Sequence, residues 1–306
     1  MEKPTVAYRT ERGTMYKSRI ERFVESDIFS QYLGRVHLVL TSPPFPLNRK
    51  KKYGNLQGQD YVYWLSELAK PLRKLLHPKG SIVLEMGNAW EPGQPVMSTL
   101  ALEALLGFLK AGDLKLCQRF ICYNPARLPS PAQWVNVERI RLKDSYTHVW
   151  WMSPTDRPRA DNTQVLKPYS KAMLKLLSSK KYNSGRRPSE HNIGKTSFLK
   201  RHAGSIPPNV LSFANTGTQD MYQKFCRDNG IQVHPSRMPM GLAEFFIRFL
   251  TKRGDLILDP FAGSNTTGAA ATKLARRWLA IEADETYIEG SRGRFCSHAS
   301  AQRTVA

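Results

Sequence analysis

Apolar and polar positions follow two periods along this chain, and the switches between them mark out strands and helices. Val36-His37-Leu38-Val39-Leu40 is an apolar, β-branched run that stops at Thr41-Ser42-Pro43-Pro44-Phe45. That is the pattern of a buried strand ended by a stiff turn. Residues 61–76 repeat leucine at helical spacing, with Leu65, Leu68, Leu72, Leu75 and Leu76 on one face. His77-Pro78-Lys79-Gly80 closes that helix with Pro and Gly. Residues 81–86 then read as a buried strand, 100–109 as a helix and 114–123 as a strand. Val149-Trp150-Trp151-Met152 reads as an edge strand with at least one tryptophan in the core.

The C-terminal part repeats the alternation. Residues 242–250 form an apolar helix with Phe245, Phe246 and Phe249 facing inward. Asp255-Leu256-Ile257-Leu258-Asp259 is a strand, followed by a small-residue turn and a helix start that Ser264 or Asn265 can cap. Trp278-Leu279-Ala280-Ile281 is the next strand, and 286–295 the last helix. Residues 16–30 hold a short strand and a helix, while the polar stretch 1–15 and the tail from Cys296 are expected to fray. Strands alternating with helices predict an α/β fold with a mostly parallel sheet.

Composition changes the picture in one respect. Lys plus Arg is 46 and Asp plus Glu is 25, so the formal charge is +21 and the pI about 10.0. A chain this basic attracts a polyanion, either nucleic acid or an anionic membrane surface. Its 306 residues suffice for one large domain or a core with a smaller one. There is no run of 18 apolar residues and no apolar core in the first stretch, so neither a membrane span nor a signal peptide is expected. Cysteines at 117, 122, 226 and 296 are too scattered for a zinc site or a disulfide framework. The expected setting is a reducing cytoplasm, at the nucleoid in a prokaryote, with nucleic acid as the polyanion.

The charge is not uniform. Residues 154–230 carry 14 Lys or Arg against 5 Asp or Glu, a net of +9. Apolar periodicity is weak between 180 and 208, where Arg186, Arg187, His191, Lys195, Lys200 and Arg201 stand among Gly, Ser and Asn. Fork-like donors of this kind read bases or hold phosphates. Arg49, Lys50, Lys51 and Lys52, next to Tyr53, also suit a phosphate backbone. His191 and His202 have no metal-ligand spacing with any Cys or acid, and no metal is expected.

Two loops carry candidate chemistry. Each proline of Ser42-Pro43-Pro44-Phe45 fixes φ and removes an N–H. The residue before each is pushed to extended geometry. The Ser42 hydroxyl and the Ser42 and Pro43 carbonyls then form a bay of acceptors, with Phe45 as a flat wall. Such a bay suits a planar group bearing an exocyclic amine. In the second loop, Asp259-Pro260-Phe261-Ala262-Gly263-Ser264 follows a strand, and Glu282 ends the next strand about 20 residues on. An acid so placed reaches ribose hydroxyls. One glycine where dinucleotide folds use three, and no lysine, argue against a phosphate cradle. A nucleoside without phosphates fits better, and S-adenosyl-L-methionine is one.

Together these residues resemble the DNA amino-methyltransferases, which place methyl from S-adenosylmethionine on N4 of cytosine or N6 of adenine. Ser42-Pro43-Pro44-Phe45 matches their catalytic motif, and Asp259, Phe261 and Gly263 match the cofactor motif Asp-x-Phe-x-Gly. His234-Pro235-Ser236-Arg237-Met238-Pro239 matches a further motif upstream of the cofactor loop. The catalytic motif comes first, an order similar to the beta group, and the likeness spans about 16–295.

The resemblance implies a doubly wound, Rossmann-like methyltransferase sheet with an inserted DNA target-recognition region. Residues 1–153 would form the catalytic half, 154–230 the recognition region and 231–306 the cofactor half. It implies Ser42, Pro43, Pro44 and Phe45 as catalytic, and His234, Arg237, Asp259, Phe261, Gly263, Ser264 and Glu282 at the cofactor. It further implies double-stranded DNA as substrate, cytosine N4 as target, and a monomer or weak dimer. The family's Asn-Gly-Asp pattern near position 17 is absent, since the chain reads Tyr16-Lys17-Ser18-Arg19. That leaves any cofactor contact there unassigned. Adenine N6 methylation, methylation of RNA or a protein amide, and a DNA-binding module without activity remain open.

Overall fold

The computed structural model describes residues 3–46, 56–214 and 220–296. Arg49, Lys50, Lys51 and Lys52, and the tail beyond Cys296, lie outside the described residues. In chain order come β1 (Thr5–Arg9), β2 (Gly13–Lys17), α1 (Ile20–Val24), α2 (Asp27–Ser30), β3 (Val36–Thr41), α3 (Gly58–Leu75), β4 (Leu76–Gly87), α4 (Leu100–Gly112), β5 (Lys115–Tyr123) and β6 (Tyr146–Ser153). Then follow α5 (Lys171–Ser179), β7 (Gly185–Arg186), β8 (Asn192–Ile193), β9 (Val210–Ser212), α6 (Met221–Asp228), α7 (Met240–Leu250), β10 (Leu256–Asp259), α8 (Thr266–Lys273), β11 (Arg277–Glu282) and α9 (Glu285–Ser291).

The chain divides into two compact units, one of 1–160 with 209–306 and one of 161–208. The smaller unit is narrower than the 154–230 expected from composition, because 154–160, 209–214 and 220–230 group with the larger one. It holds α5, the β7–β8 pair and a bridge between Lys167 and Ser205. Tyr182 stacks edge-on against Phe198, and its hydroxyl donates to the Gly194 carbonyl at 2.6 Å.

In the larger unit, a nine-stranded sheet runs in the order β1-β2-β11-β10-β3-β4-β6-β5-β9. The β2-β11-β10-β3-β4 stretch is parallel throughout. Side chains alternate across it as a buried strand requires. Val39, Leu84, Leu258 and Leu279 face the side covered by α3 and α4, with Tyr61, Leu65, Leu72 and Phe108 against them. Leu38, Leu40, Val83, Ile257 and Ala280 face the other side, against Leu242, Phe246, Ile247 and Ala270 of α7 and α8. Helices on both faces explain the near-continuous apolar runs. Each fully buried leucine contributes about 1.5–3 kcal/mol.

Several expectations are corrected. Residues 1–15 do not fray as a whole: 5–9 and 13–17 form a hairpin whose second strand pairs in parallel with β11. An edge hairpin keeps one side in water and so reads as polar, yet Met15 and Tyr16 are buried. The strand containing Trp150 and Trp151 is interior, between β4 and β5, and both tryptophans are buried. The helix ending near 76 passes directly into β4, which takes in His77 and Pro78. Phe246 is fully buried, whereas Phe245 and Phe249 are only partly so. Helix α9 stops at Ser291, and a 3-10 turn covers Arg292–Arg294.

Candidate active site

Because β2, β11, β10 and β3 are parallel, the loops that follow them leave one edge of the sheet, where open α/β sheets bind ligands. There they enclose a cavity of about 380 Å³. Ser42, Pro43, Pro44 and Phe45 form one wall, and Phe261, Gly263, Ser264 and Glu282 another. His234, Arg237 and Asp259 also line it, so the cavity brings together all eleven residues that the two loops and the upstream motif singled out.

The proline turn is set against a carboxylate. Ser42 hydrogen-bonds to the side chain of Glu85, and Thr147 Oγ1 donates to Glu85 Oε1 at 2.9 Å. Glu85 is buried on β4, and burial pushes its carboxyl up to about 7 against these hydrogen bonds. Phe45 lies over Gly87, where a Cβ would come 2.4 Å from the ring, so only glycine admits the phenyl group there.

The cofactor loop is held by backbone and side-chain bonds. Glu282 Oε2 accepts from Gly263 N at 2.7 Å, and Oε1 accepts from Ala283 N and Asp284 N at 2.8 and 2.9 Å. Burial pushes this carboxyl up, opposed by those three N–H donors. A carboxylate has about four lone-pair sites, so three donors leave acceptor capacity for a ligand hydroxyl. Gly263 has φ +48°, and a Cβ there would meet His234 Nε2 at 2.9 Å. His234 Nδ1 accepts from Ser236 N, so Nε2 carries the proton toward Gly263. Burial pushes this imidazole down to about 4, so it is neutral near pH 7. Asn265, not Ser264, caps α8, its Oδ1 accepting from Gly268 N at 3.0 Å.

Asp259 turns inward. Thr41 Oγ1 donates to its Oδ1 at 2.6 Å and Phe261 N at 3.2 Å, with Thr267 also bonded. Its place is the joint between the two loops.

Sequence reasoning missed several groups here. Ser18, Arg19, Ile20 and Glu21, where the family pattern is absent, line the cavity. Trp64 donates to Glu21 Oε1 at 2.6 Å and packs on Phe261 with ring centroids 5.6 Å apart. The Arg294 side chain is only 4% exposed and bonds the Ser264 carbonyl, Ser264 Oγ, Thr266 Oγ1 and Asp220. Glu85 alone gave a signal, as an acid inside an apolar strand.

In the smaller unit, Arg186, His191, Lys195, Lys200 and Arg201 are exposed and Arg187 half-buried. Arg186 pairs with Glu190 at 3.1 Å, and Arg187 donates to the Asn183 carbonyl. Among the described residues, no group of His, Cys, Asp or Glu is placed to hold a metal ion. No helix there is long and apolar enough to cross a membrane.

A mostly parallel sheet covered by helices on both faces, with a nucleoside-sized cavity at its strand ends, defines a Rossmann-like methyltransferase fold. The DNA methylase family model matches residues 36–292, and the chain belongs to that family. It is 42% identical over 301 residues to the type II methyltransferase M.PvuII of Proteus hauseri, covering 98% of this chain and 88% of that one. It is similar to the solved PvuII DNA methyltransferase (cytosine-N4-specific), with TM-score 0.77, 36% identity and coverage of 97% and 90%. The fold alone is shared with M1.HpyAVI, solved as a SAM complex, with TM-score 0.55 and 18% identity over 93% of this chain and 100% of that one.

Proposed function

We propose that this chain is a site-specific DNA methyltransferase acting on the exocyclic N4 of cytosine, with S-adenosyl-L-methionine as methyl donor. The observation that carries the reading is one cavity with two unlike walls, an acceptor bay at Ser42–Phe45 and a ribose-type acid beside Gly263. Similarity to the PvuII cytosine-N4 enzyme favours the target atom. So does the short hydroxyl of Ser42, where the adenine enzymes of the resembled family usually carry Asp or Asn.

Glu282 takes a ribose hydroxyl, Phe261 and Gly263 shape the nucleoside bed, and His234, Arg237 and Ser264 stand at the methionine end. Bound there, S-adenosyl-L-methionine would supply an electrophilic methyl group and would leave as the neutral thioether, its sulfur–methyl bond broken. Ser42 Oγ and the Pro43 carbonyl accept the two N–H bonds of the target amine, which draws its lone pair out of conjugation with the ring. As N4 forms its new bond to carbon, it releases one proton to Ser42 Oγ, which passes its own to Glu85. Pro44 keeps the turn stiff, and Phe45 stacks on the base, worth ~1–3 kcal/mol. The base must leave the duplex to reach Ser42, at a cost of a few kcal/mol. Positioning supplies most of the rate gain. No thiol adds to the base: none of Cys117, Cys122, Cys226 and Cys296 lines the cavity.

Arg49, Lys50, Lys51 and Lys52, and the cations of the smaller unit, hold and read double-stranded DNA. Residues 154–230 form the recognition region, 1–153 the catalytic half and 231–306 the cofactor half. The enzyme works as a monomer or weak dimer in the cytoplasm, at the nucleoid. The test is to incubate the protein with S-adenosyl-L-methionine and mixed-sequence DNA, digest to nucleosides and weigh the product. N4-methylcytosine is expected, and N6-methyladenine alone, or no methylated base, refutes the reading. Sequencing the modified DNA then maps the site.

A further inference from the structure

The loop between β5 and β6, residues 124–145, has no part in the roles above. β5 and β4 are both antiparallel to β6, so Tyr123 and Gly87 leave the sheet at the same edge. The loop returns at Tyr146, one residue before Thr147, which bonds Glu85. It therefore starts and ends beside the Ser42–Glu85 pair.

Its backbone is tied down. Asp144 N donates to the Ser130 carbonyl at 3.0 Å, and Lys143 Nζ donates to the carbonyls of Pro125 and Arg127 at 3.4 and 3.3 Å. Asn88, the residue after β4, donates from Nδ2 to Asp144 at 2.8 Å. These bonds hold 127–130 and 142–144 in place. Leu128 and Leu142 point into water, 80% and 90% exposed. The loop also carries Arg127, Arg139, Arg141 and Lys143 against Glu138 and Asp144. A leucine held in water on a fixed, polar-anchored loop that is rooted beside the Ser42–Glu85 pair is placed to meet a bound partner.

The partner that fits has an apolar interior and an anionic rim. A duplex with one base withdrawn presents that: the faces of two base pairs in the gap, phosphates on either side. Apolar wedges that enter base steps are a recurrent device. Resting on the function proposed above, we propose that Leu142 enters the gap left by the extruded cytosine. The loop's positive charge faces the flanking phosphates. Leu142 is a positioning residue: it stabilises the open duplex and touches neither cofactor nor the reacting amine.

The test compares single-turnover methylation of two duplexes carrying the mapped site, one with the target cytosine paired to guanine and one with it opposite an abasic position. The second is already unpaired, so extrusion costs less. Leu142→Ala should slow the paired duplex about tenfold or more and leave the abasic duplex within about twofold. Leu142→Met, still apolar and long, should restore the paired rate. An unchanged paired rate, or an equal loss on both duplexes, overturns the wedge while leaving the methyltransferase reading intact. A wild-type protein that methylates neither duplex overturns that reading, and the wedge with it.

Discussion

Thr41 and Asp259 join the two candidate loops across the sheet, Thr41 Oγ1 donating to Asp259 Oδ1 at 2.6 Å. One residue precedes Ser42, and the other opens the Asp259–Ser264 turn. Both are buried. The bond fixes the spacing between the acceptor bay and the nucleoside bed, which in-line transfer requires.

Thr41→Val keeps the shape and removes the donor. It should cost about 1–3 kcal/mol, the price of a buried acceptor left short of a partner. Burial already lifts Asp259 from 3.8 to about 6. Its contribution to stability is therefore fully present below 3.8 and lost as pH rises through about 6. The variant should extend that loss to higher pH. Denaturant midpoints measured from pH 4 to pH 8 check both effects, and an unchanged midpoint at every pH would show that the bond carries nothing.

Glu282→Ala should weaken S-adenosyl-L-methionine binding more than DNA binding. A charge-assisted hydrogen bond is lost, about 1.5–3 kcal/mol. Gly263 N, Ala283 N and Asp284 N also lose their acceptor. Glu282→Gln should be impaired as well, because its amide NH₂ must then face a backbone donor. Calorimetry with the cofactor reads the change, and equal affinity in all three proteins removes Glu282 from the site.

DNA affinity should fall steeply with salt, each neutralised phosphate adding about 0.9 to the log–log slope. Replacing the exposed Lys195, Lys200 and Arg201 with Gln should flatten that slope. Surface pairs such as Arg186–Glu190 are worth little by themselves, so Arg186 is free to exchange Glu190 for a phosphate. Fluorescence anisotropy across a salt series gives the slopes. A value near zero in the wild type would exclude DNA as the main polyanion.

The parallel strands of the site were legible because a strand buried on both faces leaves an unbroken apolar run, as 36–40 and 256–258 do. The loops were legible because proline and glycine limit the backbone whatever surrounds them. The N-terminal hairpin was not, since an edge strand half in water reads as polar until β11 supplies its partner. Nor was Arg294, whose bonds to Ser264 and Thr266 span 28–30 residues and follow only from α9 turning back on the cofactor loop. Thr41 was read as the end of a strand, because its partner lies 218 residues away. Glu85 stood in plain view in an apolar strand, but only the fold puts it beneath Ser42.

That last placement sets the pH dependence of the reaction. If Glu85 takes the amine proton through Ser42, it must be ionised at the start of each turnover. Burial pushes it up to about 7, so turnover should rise with pH through a midpoint near that value and level off above it. Stability should run the other way. Glu85's contribution to stability is fully present below 4.5 and lost as pH rises through about 7, so the most active protein is the less stable one. Glu85→Gln keeps an acceptor for the Ser42 hydroxyl but cannot take a proton. It should lower kcat about a hundredfold or more with little change in KM, flatten the pH–rate profile, and remove this part of the pH-dependent loss of stability. Ser42→Ala should retain cofactor binding and lose a similar factor in kcat, and combining it with Glu85→Gln should cost little more, because both act on one proton path. Additive losses in that double variant, or a Glu85→Gln enzyme with the wild-type pH profile, would reduce Glu85 to a buried brace for Thr147.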